Sequence, residues 1–140
     1  MNTKSELGQV EAQRAIQVIQ TEIAKRGQAA VIVVADSHGE LIALVRMDGA
    51  ALPSITIAIN KAYTAARKGE PTRDLGQKVR DPEKGFDIAY YGDPHFVGWG
   101  GGLPVIVKDQ VVGSVAVSGL PEQEDMEIAG MGVRAIIENL

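Results

Sequence analysis

Ala29-Ala30-Val31-Ile32-Val33-Val34-Ala35 is an unbroken apolar run, followed by Asp36-Ser37-His38-Gly39 and then by Glu40-Leu41-Ile42-Ala43-Leu44-Val45-Arg46. The first run is short, rich in Val and Ile, and does not alternate with polar residues. That pattern predicts a central strand covered on both faces. The polar tetrad is a tight turn in which Gly39 is free to take positive φ. The last run is the return strand, so the three pieces form a hairpin. A strand buried on both faces needs cover on both sides, and the flanking sequence offers helices to provide it.

On the N-terminal side, Ala12, Ala15, Ile16, Ile19 and Ile23 mark one helical stripe. Thr3-Lys4-Ser5-Glu6 reads as a capping box and Gly27 as a left-handed stop, which predicts a helix over about Ser5–Arg26. On the C-terminal side, Pro53 or Ser54 begins a second helix that Gly69 ends, with a stripe of Ile55, Ile59, Ala62 and Ala66. Its many alanines imply close packing on the sheet. A short third helix starts at Thr72, with Leu75 and Val79 facing inward. Asp81–Pro94 is a loop marked by Pro82, Gly85, Gly92 and Pro94. Phe96–Trp99 is expected as a short strand before Gly100-Gly101-Gly102. Leu103–Lys108 and Val111–Ser118 form a second hairpin about Asp109-Gln110. A last helix runs from near Pro121 to the C-terminus on a stripe of Met126, Ala129, Val133, Ile137 and Leu140. Four acids early in it (Glu122, Glu124, Asp125, Glu127) suit the positive end of its dipole. Two hairpins with helices between them predict an α+β fold: an antiparallel sheet of about five strands, in one domain over residues 1–140.

The length of 140 residues is enough for a core without staples. No cysteine is present, which excludes a disulfide framework, a thiolate metal site and a Cys nucleophile. A net charge of −4 and only 4% aromatic residues argue against nucleic-acid binding. No apolar run nears the ~20 residues that cross a bilayer, and Met1–Glu11 lacks the pattern of a secretion signal. A cytoplasmic location with no membrane partner is therefore expected.

Several stretches resemble the GlcG/HbpS-like family, which includes glycolate-operon GlcG proteins, haem-binding HbpS proteins and the C-terminal domain of some cobalamin adenosyltransferases. They are Val34-Ala35-Asp36-Ser37-His38-Gly39-Glu40-Leu41, Arg46-Met47-Asp48-Gly49-Ala50, Ile57-Ala58-Ile59-Asn60-Lys61-Ala62, Gly100-Gly101-Gly102-Leu103-Pro104-Val105 and Val112-Gly113-Ser114-Val115-Ala116-Val117-Ser118-Gly119, with Asp125 following at family-like spacing. Two features depart from the family. Leu120-Pro121 stands where a second glycine usually follows Ser-Gly, and the Asp81–Val97 loop is unlike that of typical members. The resemblance implies a profilin-like sandwich, a homo-oligomer (a dimer or larger, in the range of tetramer to octamer) and binding of haem or another small molecule.

Candidate site residues gather around the glycine run. Gly100, Gly101 and Gly102 either let backbone N–H groups meet an anion or make a tight bend between strands. Trp99, Phe96, Tyr90 and Tyr91 either wall a flat cofactor or pack their own loop. Arg46 either pairs with Asp48 or Asp36 or meets a ligand carboxylate. Lys61 is either a solvated lysine or a group that contacts an anion, works as an acid or base, or forms a Schiff base when desolvated. His95, in the loop leading to the glycines, is either solvated or an acid/base group or haem ligand; His38 reads as a solvated turn residue. The two histidines lack metal-motif spacing. A Ser118–His95–Asp125 triad can be drawn on paper, but nothing like a nucleophile elbow supports it. Two functions follow, beside a third reading of a scaffold with no ligand. One is a small-ligand-binding domain of a homo-oligomer, the ligand being a small carboxylate metabolite or haem. The other is an enzyme of a small-acid catabolic pathway that uses His95 or Lys61 in acid–base chemistry beside a glycine-rich anion-binding loop.

Overall fold

The computed structural model describes all 140 residues. The elements are α1 (Gln9–Lys25), β1 (Val31–Asp36), β2 (Leu41–Arg46), α2 (Pro53–Lys68), α3 (Thr72–Val79), a 3-10 turn at Ile88–Tyr91, β3 (Gly102–Val107), β4 (Gln110–Ser118) and α4 (Glu122–Ile137). The strands form one antiparallel sheet in the order β2-β1-β4-β3. β1 lies inside the sheet and is buried almost throughout, as its unbroken apolar run predicts.

One face of the sheet carries Ile32, Val34, Val105, Val115 and Val117 against α1 and α4, and these join a core with Ile16, Ile19, Ile23, Ile128 and Ile136. The other face carries Val31, Val33, Ala35 and Ala116 against Ala58 and Ala62 of α2. No helix is long and apolar enough to cross a membrane.

Several expectations are corrected. The sheet has four strands, because Phe96–Trp99 is irregular. The segment is anchored sideways to a helix, where Thr64 Oγ1 accepts from the Val97 N–H and donates to the His95 carbonyl. The first helix starts at Gln9, after Gly8, whose N–H donates to Glu11 at 2.8 Å. Glu6 is unavailable as a cap because it receives the Ser37 N–H and hydroxyl. The second hairpin turns on Lys108-Asp109, both at positive φ (51° and 64°), which gives the twist a two-residue hairpin requires. α4 is rotated from the expected stripe. Ile128, Ala129, Gly132 and Ile136 are buried, while Ile137 and Leu140 are exposed. Gly132 counts as a core position because Ile19 fills the space a side chain would take. On α2 the expected Ala62 and Ala66 are buried, together with Ser54, Ala58, Lys61 and Ala65, whereas Ile55 and Ile59 are only partly covered.

Candidate functional site

α2 lies unusually close to the sheet, and its small residues are the reason. A Cβ at Gly102 would stand 2.5 Å from the Lys61 carbonyl oxygen. The Ser114 hydroxyl donates to the Ala62 carbonyl at 2.6 Å. This approach places Lys61 on the buried side of α2. Its Nζ donates to the Val117 carbonyl at 3.0 Å and to Asp125 Oδ2 at 3.2 Å. The two charged side chains are only 3% and 4% exposed. Asp125 sits in the first turn of α4, and its Oδ1 accepts the Leu120 N–H at 3.1 Å. Burial pushes the Asp125 carboxyl up to about 6 against the attraction of Lys61. Burial also lowers Lys61 below the ordinary lysine range, against the pull of Asp125 and Glu122. Desolvation outweighs mutual attraction in both partners, so each is drawn towards its neutral form.

A cleft of about 260 Å³ opens on this pair. Lys61 and Asp125 line it, with Ile57, Trp99 and Leu120 as apolar lining and the Ser118-Gly119 segment, Gly100 and Glu122 completing it. Trp99 is 57% exposed. A larger groove of about 750 Å³ lies elsewhere, around Lys4, His38, Arg67 and Lys68. It contains no buried charged group, so the smaller cleft is the better-built site.

The glycine run is not a free anion cradle. Gly100 N–H donates to Glu122 Oε1 at 3.0 Å, and Gly102 N–H donates to Thr72 Oγ1 at 3.0 Å. The Gly101 carbonyl accepts from the Val117 N–H. What glycine supplies here is room. At Gly101 (φ +128°) a Cβ would stand 2.7 Å from Lys61 Nζ and 2.6 Å from the Val117 carbonyl oxygen.

The remaining candidates separate. His95 does not line the cleft. Its ring is 58% exposed, and Nδ1 lies 2.7 Å from Asp93 Oδ1. Tyr63 donates to the same carboxylate at 2.5 Å. That hydrogen bond, with those from His95, holds Asp93 at about 2. Tyr63, His95, Phe96 and Tyr91 form a chain of ring contacts, and Phe86 extends it from Tyr91. These aromatics therefore pack their own loop, whereas Trp99 lines the cleft. Arg46 is exposed at the end of β2, paired in register with Val31, and makes no ion pair with Asp48 or Asp36. Asp36 instead accepts the His38 and Glu40 N–H groups of its own turn. The Ser118–His95–Asp125 triad does not form, since His95 is engaged with Asp93 and Asp125 with Lys61.

Lys61, Trp99 and Gly100 line the cleft together with Asp125, which the sequence pattern does not tie to them. A signal for Lys61 exists in hindsight: with Ser54, Ala58 and Ala65 it keeps helical register on the small-residue side of α2. Nothing local pairs it with a residue 64 positions away.

Comparison with known proteins agrees with this architecture. A family model described as haem-degrading protein HbpS-like matches residues 7–134. Protein GlcG of Escherichia coli K12 is 36% identical over 118 residues, covering 84% of this chain and 85% of GlcG. The crystal structure of Klebsiella pneumoniae protein ORFY superposes with a TM-score of 0.88 at 26% identity, over 98% of this chain and 97% of that one. A crystal structure of a PduOC–haem complex superposes with a TM-score of 0.83 at 25% identity, over 93% and 94% of the two chains. Shared sequence over most of its length and a shared fold together make this chain a member of the GlcG/HbpS-like family.

Proposed function

We propose that this chain is the small-ligand-binding domain of a homo-oligomeric protein, and that the cleft over Lys61 and Asp125 holds a small carboxylate-bearing metabolite. The observation that carries this reading is the buried ion pair facing the cleft. A desolvated pair is a poor stabilising device, because several kcal/mol of lost hydration per ion offset its attraction. A fold that needed only packing there is better served by apolar side chains. The cleft volume suits a molecule of roughly eight water-sized groups at ~30 Å³ each. A bound carboxylate adds negative charge beside Asp125 and Glu122, and Asp125 at about 6 can take up a proton in response. Affinity for such an acid should therefore rise as the pH falls from 7.5 to 5.5. Two-dimensional NMR titration of L-lactate, followed at the Trp99 indole and the Gly100 amide, tests this. Shifts confined to other surfaces, or none, would refute it.

Oligomer formation is supported by two open sheet edges, β2 and β3, and by exposed Leu41, Leu52, Ile106 and Ile137. Native mass spectrometry reads it directly, and a monomer at micromolar concentration removes that part.

Haem is the second reading, favoured by the family and by the local chemistry of His95. A histidine whose Nδ1 faces a carboxylate is held with Nε2 available to a metal. Arg67 and Lys68 lie over the Tyr63 and Tyr91 rings as cations suited to propionates. Haem held there by His95 would supply redox chemistry. A Soret band on haem titration that is lost in His95→Ala and kept in His38→Ala supports this site. An unchanged band in His95→Ala excludes it. The enzyme alternative retains Lys61 with Asp125 as its acid–base couple, since His95 does not share the cleft.

A further inference from the structure

We infer that Lys61 is a carbonyl-reactive amine, and that the cleft accepts a small aldehyde or ketone whose carbonyl carbon bonds to Lys61 Nζ as an imine. The inference rests on the cleft being the ligand site and specifies which end of the ligand faces the amine.

Charge selects that end. Lys61 is the only cation lining the cleft, and Asp125 and Glu122 are both carboxylates in the same lining. A second anion driven against the amine meets repulsion from both, whereas an uncharged carbonyl does not. A carboxylate on the same molecule can stay on the solvent side.

The amine is also placed for the chemistry. Gly101 makes room for its Nζ, since any Cβ there would lie 2.7 Å away. The Val117 carbonyl takes one N–H at 3.0 Å, and Asp125 takes another at 3.2 Å. Asp125 is itself fixed by the Leu120 N–H. Transfer of one proton from the ammonium to Asp125 leaves a neutral amine with a free electron pair. That pair attacks the carbonyl carbon, and the C=O π electrons move to oxygen, which takes the proton from Asp125 and gives a carbinolamine. The nitrogen of this cationic carbinolamine still carries two protons; Asp125 takes one of them and delivers it to the leaving hydroxyl, so that water departs and the C=N bond forms as a protonated imine. Ammonium plus carbonyl gives protonated imine plus water, with no oxidant or reductant. Ile57, Trp99 and Leu120 give the product an apolar lining. Desolvation favours the neutral amine, the usual way a lysine is activated as a nucleophile.

The experiment uses the wild-type chain with pyruvate and cyanoborohydride near pH 7, which reduces an imine to a stable adduct. Peptide mapping by mass spectrometry compares Lys61 with the solvent-exposed Lys25, Lys84 and Lys108. Lys61 should be modified at least tenfold faster than these, although it is the most buried. Asp125→Asn, with its fold checked by circular dichroism, should remove most of that advantage while leaving the exposed lysines unchanged. L-lactate, the same skeleton without the carbonyl, reports binding alone. Trapping confined to exposed lysines, with L-lactate still shifting the Trp99 indole, overturns the inference and leaves the cleft reading intact. No trapping at Lys61 and no shift overturns both.

Discussion

Towards α1 and α4 the sheet presents Ile32, Val34, Val115 and Val117, all fully buried against isoleucines. Towards α2 it presents Val31, Val33 and Ala116, with Ser114 and Ser118 between alanines and a buried lysine. The first face buries large side chains and holds the helices by hydrophobic area. The second brings backbone close to backbone through Gly102, Ala58 and Ala62, and uses the space gained to hold an ion pair. The lesson is a difference between the two sides of one four-stranded sheet: one side is filled by large apolar side chains, and the other holds a buried ion pair beside a cleft.

The sharpest way to break that contrast is to treat the ion pair as a stability device. Lys61→Met or Asp125→Leu alone leaves an unpaired buried charge and should cost about 3–5 kcal/mol. The double variant Lys61→Met/Asp125→Leu should recover most or all of that loss in chemical denaturation, while ligand binding stays lost. A double variant no more stable than the singles would mean that the pair does hold the fold together.

The complementary test lies across the sheet. Ile128→Ala removes a fully buried side chain from the larger core and should cost about 2–5 kcal/mol. Below its lowered melting temperature, affinity for the cleft ligand should be unchanged. A large loss of affinity in the folded variant would show that the two faces are not independent.

A pH series sharpens the same point with a smaller effect. The folded Asp125 keeps its proton up to about pH 6, whereas the unfolded carboxyl releases it near 3.8. Its contribution to stability is thus fully present below about pH 3.8 and is lost as the pH rises through 6. Subtracting the stability of Asp125→Asn from that of wild type isolates this group, and the difference should fall between pH 4 and pH 7. A flat difference would contradict the desolvation of this carboxyl.

The smallest effect belongs to the motif that looked most like a structural pair. Arg46 and Asp48 are both exposed and unpaired, so Asp48→Ala should change stability by no more than about 0.5 kcal/mol. A clear drop in melting temperature would mean that the two meet in a larger assembly.

How legible each face was follows from the same contrast. The stripe of α1 and the unbroken run of β1 are written in large apolar residues, whose period and length survive in the sequence. On the α2 face the signal is carried by glycine, alanine and serine. These tell a reader that something comes close, not what. The glycine run therefore reads equally as open N–H donors or as a tight bend, whereas Glu122 and Thr72 occupy two of those donors and Lys61 explains the third position. Likewise Gly132 falls outside the apolar stripe expected of α4, because a glycine whose space is filled by Ile19 carries no hydrophobic mark of its own.

α4 touches both sides of this division. Its Ile128 and Ile136 seal the larger core, while Asp125, at its start, reaches Lys61 from α2. Detachment of that one helix would dismantle the cleft even with every strand still paired. Occupancy of the cleft should consequently be felt as retention of the chain's last structural element. Its amides would exchange with solvent more slowly as ligand concentration passes the dissociation constant, and a protease that clips the loosened C-terminal end would be held off in proportion.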